Sequence, residues 1–387
     1  MSKIKILIDA RIVSGESQGS VTYIKGLYNS LYNNHNSVYD LFFAGYDFAA
    51  MKDAFPFLEK SNFILLKTTS KIKLLAWEFP RIINKYKIEF AHFQYITPFI
   101  KNCKFIVTTH DVLFNDFQEY FPKNYALKRN FLFKSSLQRS DIKLTVSDYS
   151  QFRIAGHYGI DKNALYITPN AVRQEFFEEF DKEAVKKEVE TQFGAKNYLL
   201  YVSRIEPRKN HRIIIDAYRK LRLDQKDIHL VFIGNDTLGS IEEMKAINHM
   251  RAEFPDHLHW YSNLSDDEVL SFYRGAKMFI YPSKAEGFGI PPIEAAAAGI
   301  NTLCSTATAM QDFSFFGDNF FSPEAPGGLA VKILDNLSQP KSKGELSYIR
   351  ERIRTKYSWE TSSNLLDRLI KEQVKVLRPA NVPYAFL

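Results

Sequence analysis

Two glutamates bracket a glycine-bearing turn in the stretch AEGFGIPPIEAAAAG, residues 285–299. Glu286 precedes Gly287, Phe288 and Gly289, and Glu294 follows after Ile290 and a Pro-Pro pair. The run KMFIYP just upstream has the apolar character of a buried strand, so the local unit reads strand, turn, helix. Pro291 and Pro292 suit a first helical turn, where the missing N–H would have no intrahelical partner. The glycines allow close approach of backbone to a ligand, and the free N–H groups of a helix start favour an anion. Glu286 stays in the turn and Glu294 falls in the first helical turns, so both carboxylates are expected to face one cleft. Such a pair suits acid–base work on a glycosidic bond, which needs carboxyls about 5 to 9.5 Å apart. It equally suits acceptance of hydrogen bonds from sugar hydroxyls. Glu294 also has a purely structural reading, as a favourable charge at a helix N-terminus.

Two cations stand in a second strand-to-helix loop. Arg204 and Lys209 lie in RIEPRKN, between the strand run YLLYVS and a helical stretch from His211. A guanidinium fork and an ammonium together can clamp a diphosphate and neutralise charge on a phosphate leaving group without a metal. Alone, the pattern is an ordinary solvated basic loop. Beside a Gly-Phe-Gly turn at a later strand end, the clamp is the better reading, and it favours a phosphate leaving group over hydrolysis by the two glutamates. His110 and Asp111 directly follow the strand run FIVTT, where ligands collect in open α/β sheets. They could form a general base pair, a metal site or a structural turn. Phe114, Phe117, Tyr120 and Phe121 fit a core or an acceptor wall, and Asp116 and Glu119 among them argue against a nucleic-acid path. Gly19, in the Gly- and Ser-bearing loop 14–20, could admit a phosphate.

These residues need strands and helices to hold them, and the chain supplies both in alternation. Runs such as IKILID, YDLFFA, FAHF, FIVTT and KLTVS, then YLLYVS, HLVFIG and MFIY, are separated by helical stretches, which implies parallel sheets. A chain of 387 residues exceeds one ordinary core, so the expectation is α/β with two doubly wound domains facing a cleft. The first loop is expected to give way to a helix over 21–32, residues 73–85 to form one helix, and 301–305 to be the last clear strand. No G-x-G-x-x-G follows the first strand and no G-x-x-x-x-G-K-[ST] occurs, which counts against dinucleotide oxidoreductases and phosphate-loop NTPases. The net charge of +7 fits phosphate, anionic lipid or nucleic acid as partner. Cys103 and Cys304 stand far apart, so neither a disulfide framework nor a zinc site is expected, and a reducing compartment is. The first residues read as a strand rather than a signal peptide, and no run reaches the roughly 18 apolar residues of a membrane span. The expected location is cytoplasmic, with peripheral contact at the inner membrane face.

With these residues in place, the chain resembles a family 4 glycosyltransferase of the GT-B fold. The resemblance rests on the E-x7-E of Glu286 and Glu294, on YVSRIEPRKN, on THDVLF with a following YFP, and on TVSDYS and ITPNAV. It implies a nucleotide-sugar donor, transfer with retention, no metal and no other cofactor. It implies domains over 1–170 with a returning C-terminal helix 358–387, and over 171–357. By position, Arg204 and Lys209 would hold the diphosphate, Glu286 the sugar hydroxyls and Glu294 the ribose, with His110 beside the sugar. The backbone of Gly287, Phe288, Gly289 and Ile290 would contact phosphate or sugar, and Gly234 with Ser262, Asn263 and Leu264 would lie near the nucleoside. Resemblance to bacterial mannosyltransferases of polysaccharide assembly favours GDP-mannose over a UDP-sugar, with a glycan or lipid-linked glycan as acceptor. An inactive sugar-nucleotide-binding protein is the non-enzyme alternative. The family's G-x-G-R-Y is here Gly19-Ser20-Val21-Thr22-Tyr23, and its P-N-G-V-D is Pro169-Asn170-Ala171-Val172-Arg173.

Overall fold

The structure is a computed structural model that describes residues 3–14, 18–122, 124–236 and 240–377. The chain divides into two compact units. One holds the residues up to Val112, Lys123–Ala171 and the stretch from Ser358 onward; the other holds Leu113–Pro122 and Val172–Tyr357.

The first unit is built on a parallel sheet of seven strands. They are β1 (Ile4–Asp9), β2 (Tyr39–Gly45), β3 (Phe63–Leu65), β4 (Phe90–Gln94), β5 (Lys104–Thr108), β6 (Ile142–Thr145) and β7 (Tyr166–Ile167), in the order 3-2-1-4-5-6-7. Ile6, at the centre, faces Leu41 on one side and Phe90 on the other. Ile6, Leu7 and Ile8 are fully buried, as expected of a strand covered on both faces. Helix α1 (Gln18–His35) lays Tyr23, Ile24, Leu27, Tyr28 and Leu31 on this sheet. The spacing i, i+1, i+4, i+5, i+8 is that of one helical face. The helix starts earlier than the sequence suggests, so Gly19 belongs to its first turn rather than to a loop; residues 15–17 lie outside the described residues. Residues 71–86 are helical but interrupted by one wide turn at Leu74–Glu78. Glu78 in that turn accepts the backbone N–H groups of Lys67 and Thr68, at 2.7 and 3.0 Å.

The second unit has six parallel strands: β8 (Leu199–Val202), β9 (Leu230–Ile233), β10 (Leu258–Tyr261), β11 (Met278–Tyr281), β12 (Thr302–Ser305) and β13 (Phe320–Phe321). Their order is 10-9-8-11-12-13, so the strand order reverses between β8 and β11. In open α/β sheets a ligand crevice forms at that reversal, beyond the carboxyl ends of the strands. Helices α2 (His211–Leu221), α3 (Asp266–Gly275) and α4 (Ile290–Ala297) follow β8, β10 and β11. Ser265 caps α3 in a reciprocal box with Glu268. The sequence reading stops one strand early: β13 is too short to carry a periodicity, and the helix Pro326–Ser338 is masked by its Pro-Gly-Gly start.

Helix α5 (Trp359–Leu377) closes the first unit by packing on α1. The Trp359 ring occupies the space beside Gly26 where a side chain would stand, with ring atoms about 2 Å from an ideal Cβ. Ser363 bonds Ser30 at 2.9 Å, and Asp367 accepts the Tyr39 hydroxyl at 2.8 Å.

Candidate active site

The loops after β8 and β11 meet at the strand-order reversal, and they bring Lys209 onto Glu286. Lys209 Nζ donates to Glu286 Oε1 at 2.5 Å and Arg208 Nη1 donates to Oε2 at 3.0 Å. Tyr281 and Ser283 hydroxyls add further bonds to Oε1, at 2.9 and 2.7 Å. The Glu286 N–H donates to Thr308 Oγ1 at 2.8 Å, so main chain and carboxylate are both fixed. Lys209 and Glu286 are each only 8% exposed. Burial alone would raise the Glu286 pKa, but the two cations and the hydroxyls overcome it and hold the group at about 2. Burial pulls the Lys209 ammonium below its ordinary value while Glu286 pulls it back up. The Coulombic attraction between them keeps the pair ionised.

The loop itself is pinned from several sides. Pro207 opens one turn of 3₁₀ helix, and Asn210 then takes a left-handed conformation, with φ at 59°, to start α2. Asn210 donates to the carbonyls of Pro282 and Pro323, at 3.3 and 3.0 Å. The Tyr201 hydroxyl, buried in the sheet, donates to the Lys209 carbonyl at 2.7 Å. Arg208 also reaches the Ala285 carbonyl at 2.8 Å and forms an ion pair with Glu206 at 2.7 Å. Sequence reasoning passed over Arg208, Tyr281, Ser283 and Thr308. Arg208 was readable as a third cation of the same loop; the hydroxyl side chains carry no pattern that spacing alone would reveal.

Arg204 stands apart from that buried pair. Its side chain is 36% exposed, and Glu206 Oε1 lies 4.0 Å from its Nη1. It directly follows Ser203, whose carbonyl lies 1.9 Å from where a Cβ on Gly234 would be built. Gly234 has φ at 149°, and its carbonyl accepts Trp260 Nε1 at 2.8 Å. The Asn263 N–H donates to Asn235 Oδ1 at 3.2 Å. The structure thus gathers Arg204, Gly234, Ser262, Asn263 and Leu264 at the carboxyl ends of β8, β9 and β10. Asn235 joins them as a residue the sequence did not single out.

Gly289 has φ at 93° and precedes α4, so it supplies the left-handed turn that the helix entry requires. Pro291 and Pro292 lack N–H groups, which leaves Gly289 and Ile290 as the main-chain donors at this end. The Phe288 ring is buried edge-on against Phe313 and Tyr357, at 5.7 and 5.6 Å. What the segment from Gly287 to Ile290 offers a ligand is therefore main chain. Glu294 sits in the second turn of α4, accepts the Tyr273 hydroxyl at 3.1 Å, and has its pKa raised by burial to about 7. Arg173, which stands where the family pattern has an acid, opposes that rise and also pairs with Asp266 at 2.7 Å.

His110 lies in the first unit, beyond β5, and is 7% exposed. Its Nε2 faces Gln94 Oε1 at 2.6 Å; a carbonyl oxygen only accepts, so Nε2 carries the proton. Burial lowers its pKa to about 4, and the ring is neutral at pH 7. Tyr23 packs edge-on against it at 5.0 Å. Behind it runs a buried polar chain that sequence reasoning missed: His92 bonds Tyr28 at 2.7 Å and Thr108 at 2.8 Å, and Tyr23 bonds Thr168 at 2.7 Å.

Among the described residues no helix is long and apolar enough to cross a membrane. Two family models match the chain in series: Glycosyltransferase Family 4 over residues 18–176 and Glycosyl transferases group 1 over residues 182–349. O-antigen chain mannosyltransferase B of Escherichia coli is 26% identical over 66% of this chain and 67% of its own length. The serotype-specific mannosyltransferase WbdA of the same species is 24% identical over 65% of this chain, which spans only 30% of that protein. A glycosyltransferase from Rickettsia africae superposes with a TM-score of 0.74 at 19% identity, covering 97% of this chain and 100% of that one. The Anabaena HepE protein, crystallised with UDP-glucose, superposes with a TM-score of 0.74 at 13% identity, over 95% and 100% of the two chains. With both halves matched by glycosyltransferase models and the GT-B fold shared with these structures, the chain belongs to the family 4 glycosyltransferases.

Proposed function

We propose that the protein transfers a mannosyl residue from GDP-mannose, with retention of configuration, to a glycan or lipid-linked glycan of a surface polysaccharide. The observation that carries this reading is the buried Lys209–Glu286 pair, flanked by Arg208, where the strand order of its sheet reverses. Cations fixed in a low-dielectric site stabilise charge on a departing diphosphate far more than cations in water. In the proposed step the bond from the sugar C1 to the phosphate oxygen breaks and its electron pair goes to the nucleoside diphosphate. The acceptor hydroxyl oxygen bonds C1 from the same face, and its proton passes to the leaving phosphate. Arg204 and Lys209 neutralise that phosphate, so no divalent ion is required.

Glu286 already receives three donors on Oε1 and one on Oε2. A sugar hydroxyl therefore joins at Oε2, where a carboxylate oxygen still has capacity. Glu294 takes the ribose hydroxyls. The mannosyl preference is supported by the names of the relatives. Contact with the membrane face is supported by exposed Ile72, Trp77, Phe99 and Ile100 beside Lys71, Lys73, Arg81 and Lys101. Apolar side chains ringed by cations suit an anionic lipid surface.

A thermal-shift series with GDP-mannose, GDP, UDP-glucose and UDP tests the donor, because a specific ligand stabilises the native state by mass action. The largest rise is expected with GDP-mannose. A larger rise with UDP-glucose would establish the second reading, a UDP-sugar transferase, which the likeness to the UDP-glucose-bound structure favours. Product-anomer analysis then checks retention.

A further inference from the structure

Away from the crevice, the opposite end of the second sheet gathers a carboxylate and three imidazoles. Asp227 and His229 immediately precede β9, and His257 and His259 stand at the start of β10. In a parallel sheet the beginnings of neighbouring strands lie at the same end, far from the loops that carry Lys209 and Glu286. Ligand atoms of Asp227, His229 and His257 all fall within 4.8 Å of one another. Asp227 Oδ1 lies 3.9 Å from His229 Nε2 and 4.0 Å from His257 Nε2. Neither contact is a hydrogen bond at such a separation.

We propose that Asp227, His229 and His257 bind one divalent transition-metal ion of the zinc class. A tetrahedral zinc ion with bonds of about 2.0 to 2.2 Å holds its ligand atoms about 3.3 to 3.5 Å apart. The three atoms need only sub-ångström inward shifts to meet that spacing. Asp227 and His257 have the freedom to make them, with side chains 61% and 25% exposed. His229 is buried and already oriented. His259 donates to the backbone carbonyl of Asp256 and presents its Nε2 to His229 Nδ1 at 2.9 Å. His229 Nδ1–H therefore donates to His259, and its Nε2 lone pair points at the space shared with Asp227. The Lys196 N–H approaches the same Nδ1 only at 3.5 Å and is the weaker contact. A metal-ligating histidine fixed through its other ring nitrogen is the usual outer-shell arrangement.

Asp227 divides its oxygens in a compatible way. Oδ2 takes Lys196 Nζ at 3.0 Å, leaving Oδ1 to the two imidazoles. Two nitrogens and one oxygen select zinc, copper or nickel rather than magnesium or calcium. The fourth position is left for water. Since the site joins the turn before β9 to the start of β10, the ion holds two strand entries together and takes no part in sugar transfer.

Isothermal titration of the chelator-treated full chain with zinc chloride, in a non-coordinating buffer, tests the assignment, with melting temperature measured in parallel. The expected result is one ion per chain and a higher melting temperature with zinc but not magnesium. Asp227→Asn and His257→Gln, both at the exposed rim, are each expected to weaken binding at least tenfold and leave metal-free melting and transferase turnover unchanged. No saturable binding in the micromolar range, or binding unaffected by both variants, overturns the proposal. His229→Ala is read only alongside these, because it also empties a buried position.

Discussion

Lys209 Nζ lies 2.5 Å from Glu286 Oε1, although 77 residues separate them in the chain. The contact joins the loop after β8 to the loop after β11, and removing either partner strands a buried charge. Lys209→Ala is expected to lower turnover at least a hundredfold, the scale for loss of one preorganised charge donor at a transition state. It is also expected to cost about 3 kcal/mol of stability, because Glu286 keeps Arg208 alone as a cationic partner. Nucleoside diphosphate release and calorimetry measure the two effects separately. Turnover at the wild-type level would remove the phosphate clamp from the mechanism.

Arg208 and Arg204 should behave differently despite sitting in one loop. Arg208→Gln loosens Glu286 and the Ala285 carbonyl together, so a lower melting temperature should accompany a higher donor KM. Arg204→Ala removes the more exposed of the two side chains, 36% against 21%, so melting should move less than in Arg208→Gln while turnover falls. Equal losses of stability in the two variants would contradict this division.

Glu294 gives a pH prediction whose sign follows from burial. Its folded pKa is about 7 against an ordinary 4.5, so between those values the folded chain binds more protons than the unfolded one. Stability therefore declines as pH rises from about 4.5 to 7, by at most about 3 kcal/mol from this group. Glu294→Gln should flatten that decline, and melting curves at pH 5 and pH 8 reveal it. Donor KM should fall on raising the pH through 7 in the native protein, as the carboxylate becomes a full acceptor for ribose hydroxyls, and stay level in the variant. A parallel pH dependence in both proteins would contradict the assignment.

Gly234→Ala is expected to be severe. The added methyl would lie 1.9 Å from the Ser203 carbonyl, a backbone atom that cannot swing aside, at a φ of 149°. Strand β8 would have to shift against β9, and a loss of several kcal/mol follows. Soluble yield and melting temperature check it; Gly19→Ala, with open space around it, is the matched control.

The membrane contact is checked by co-sedimentation with vesicles containing phosphatidylglycerol. Trp77→Glu, at an exposed position under Arg81, should release the protein into the supernatant with donor binding intact. Unchanged sedimentation would place the contact elsewhere.

Much of the scaffold was legible because parallel strands covered on both faces appear as unbroken apolar runs. IKILID and MFIY are such runs, and the structure makes both central strands. A start signal was legible too, since the Pro291-Pro292 pair announces α4. Two-residue strands such as Phe320–Phe321 have no period to read, and the wide turn at Leu74–Glu78 obeys no local rule visible in its residues. At the site, charge and glycine spacing exposed Lys209, Glu286 and Gly289. Tyr281, Ser283 and Thr308 stayed hidden, because a hydroxyl near a carboxylate is a property of the folded chain. The packing of the Phe288 ring on Phe313 and Tyr357 stayed hidden for the same reason.

The docking of α5 on α1 carries a consequence for synthesis. The groove that Trp359 fills at Gly26 is made early, while its occupant leaves the ribosome more than 300 residues later. At roughly 5 to 20 residues per second, that interval is of the order of 15 to 70 seconds. Through it, the nascent first unit carries an uncovered face lined by α1, and the second unit has time to fold independently. The last helix therefore acts as a latch, closing the first unit only when the rest of the chain has been made.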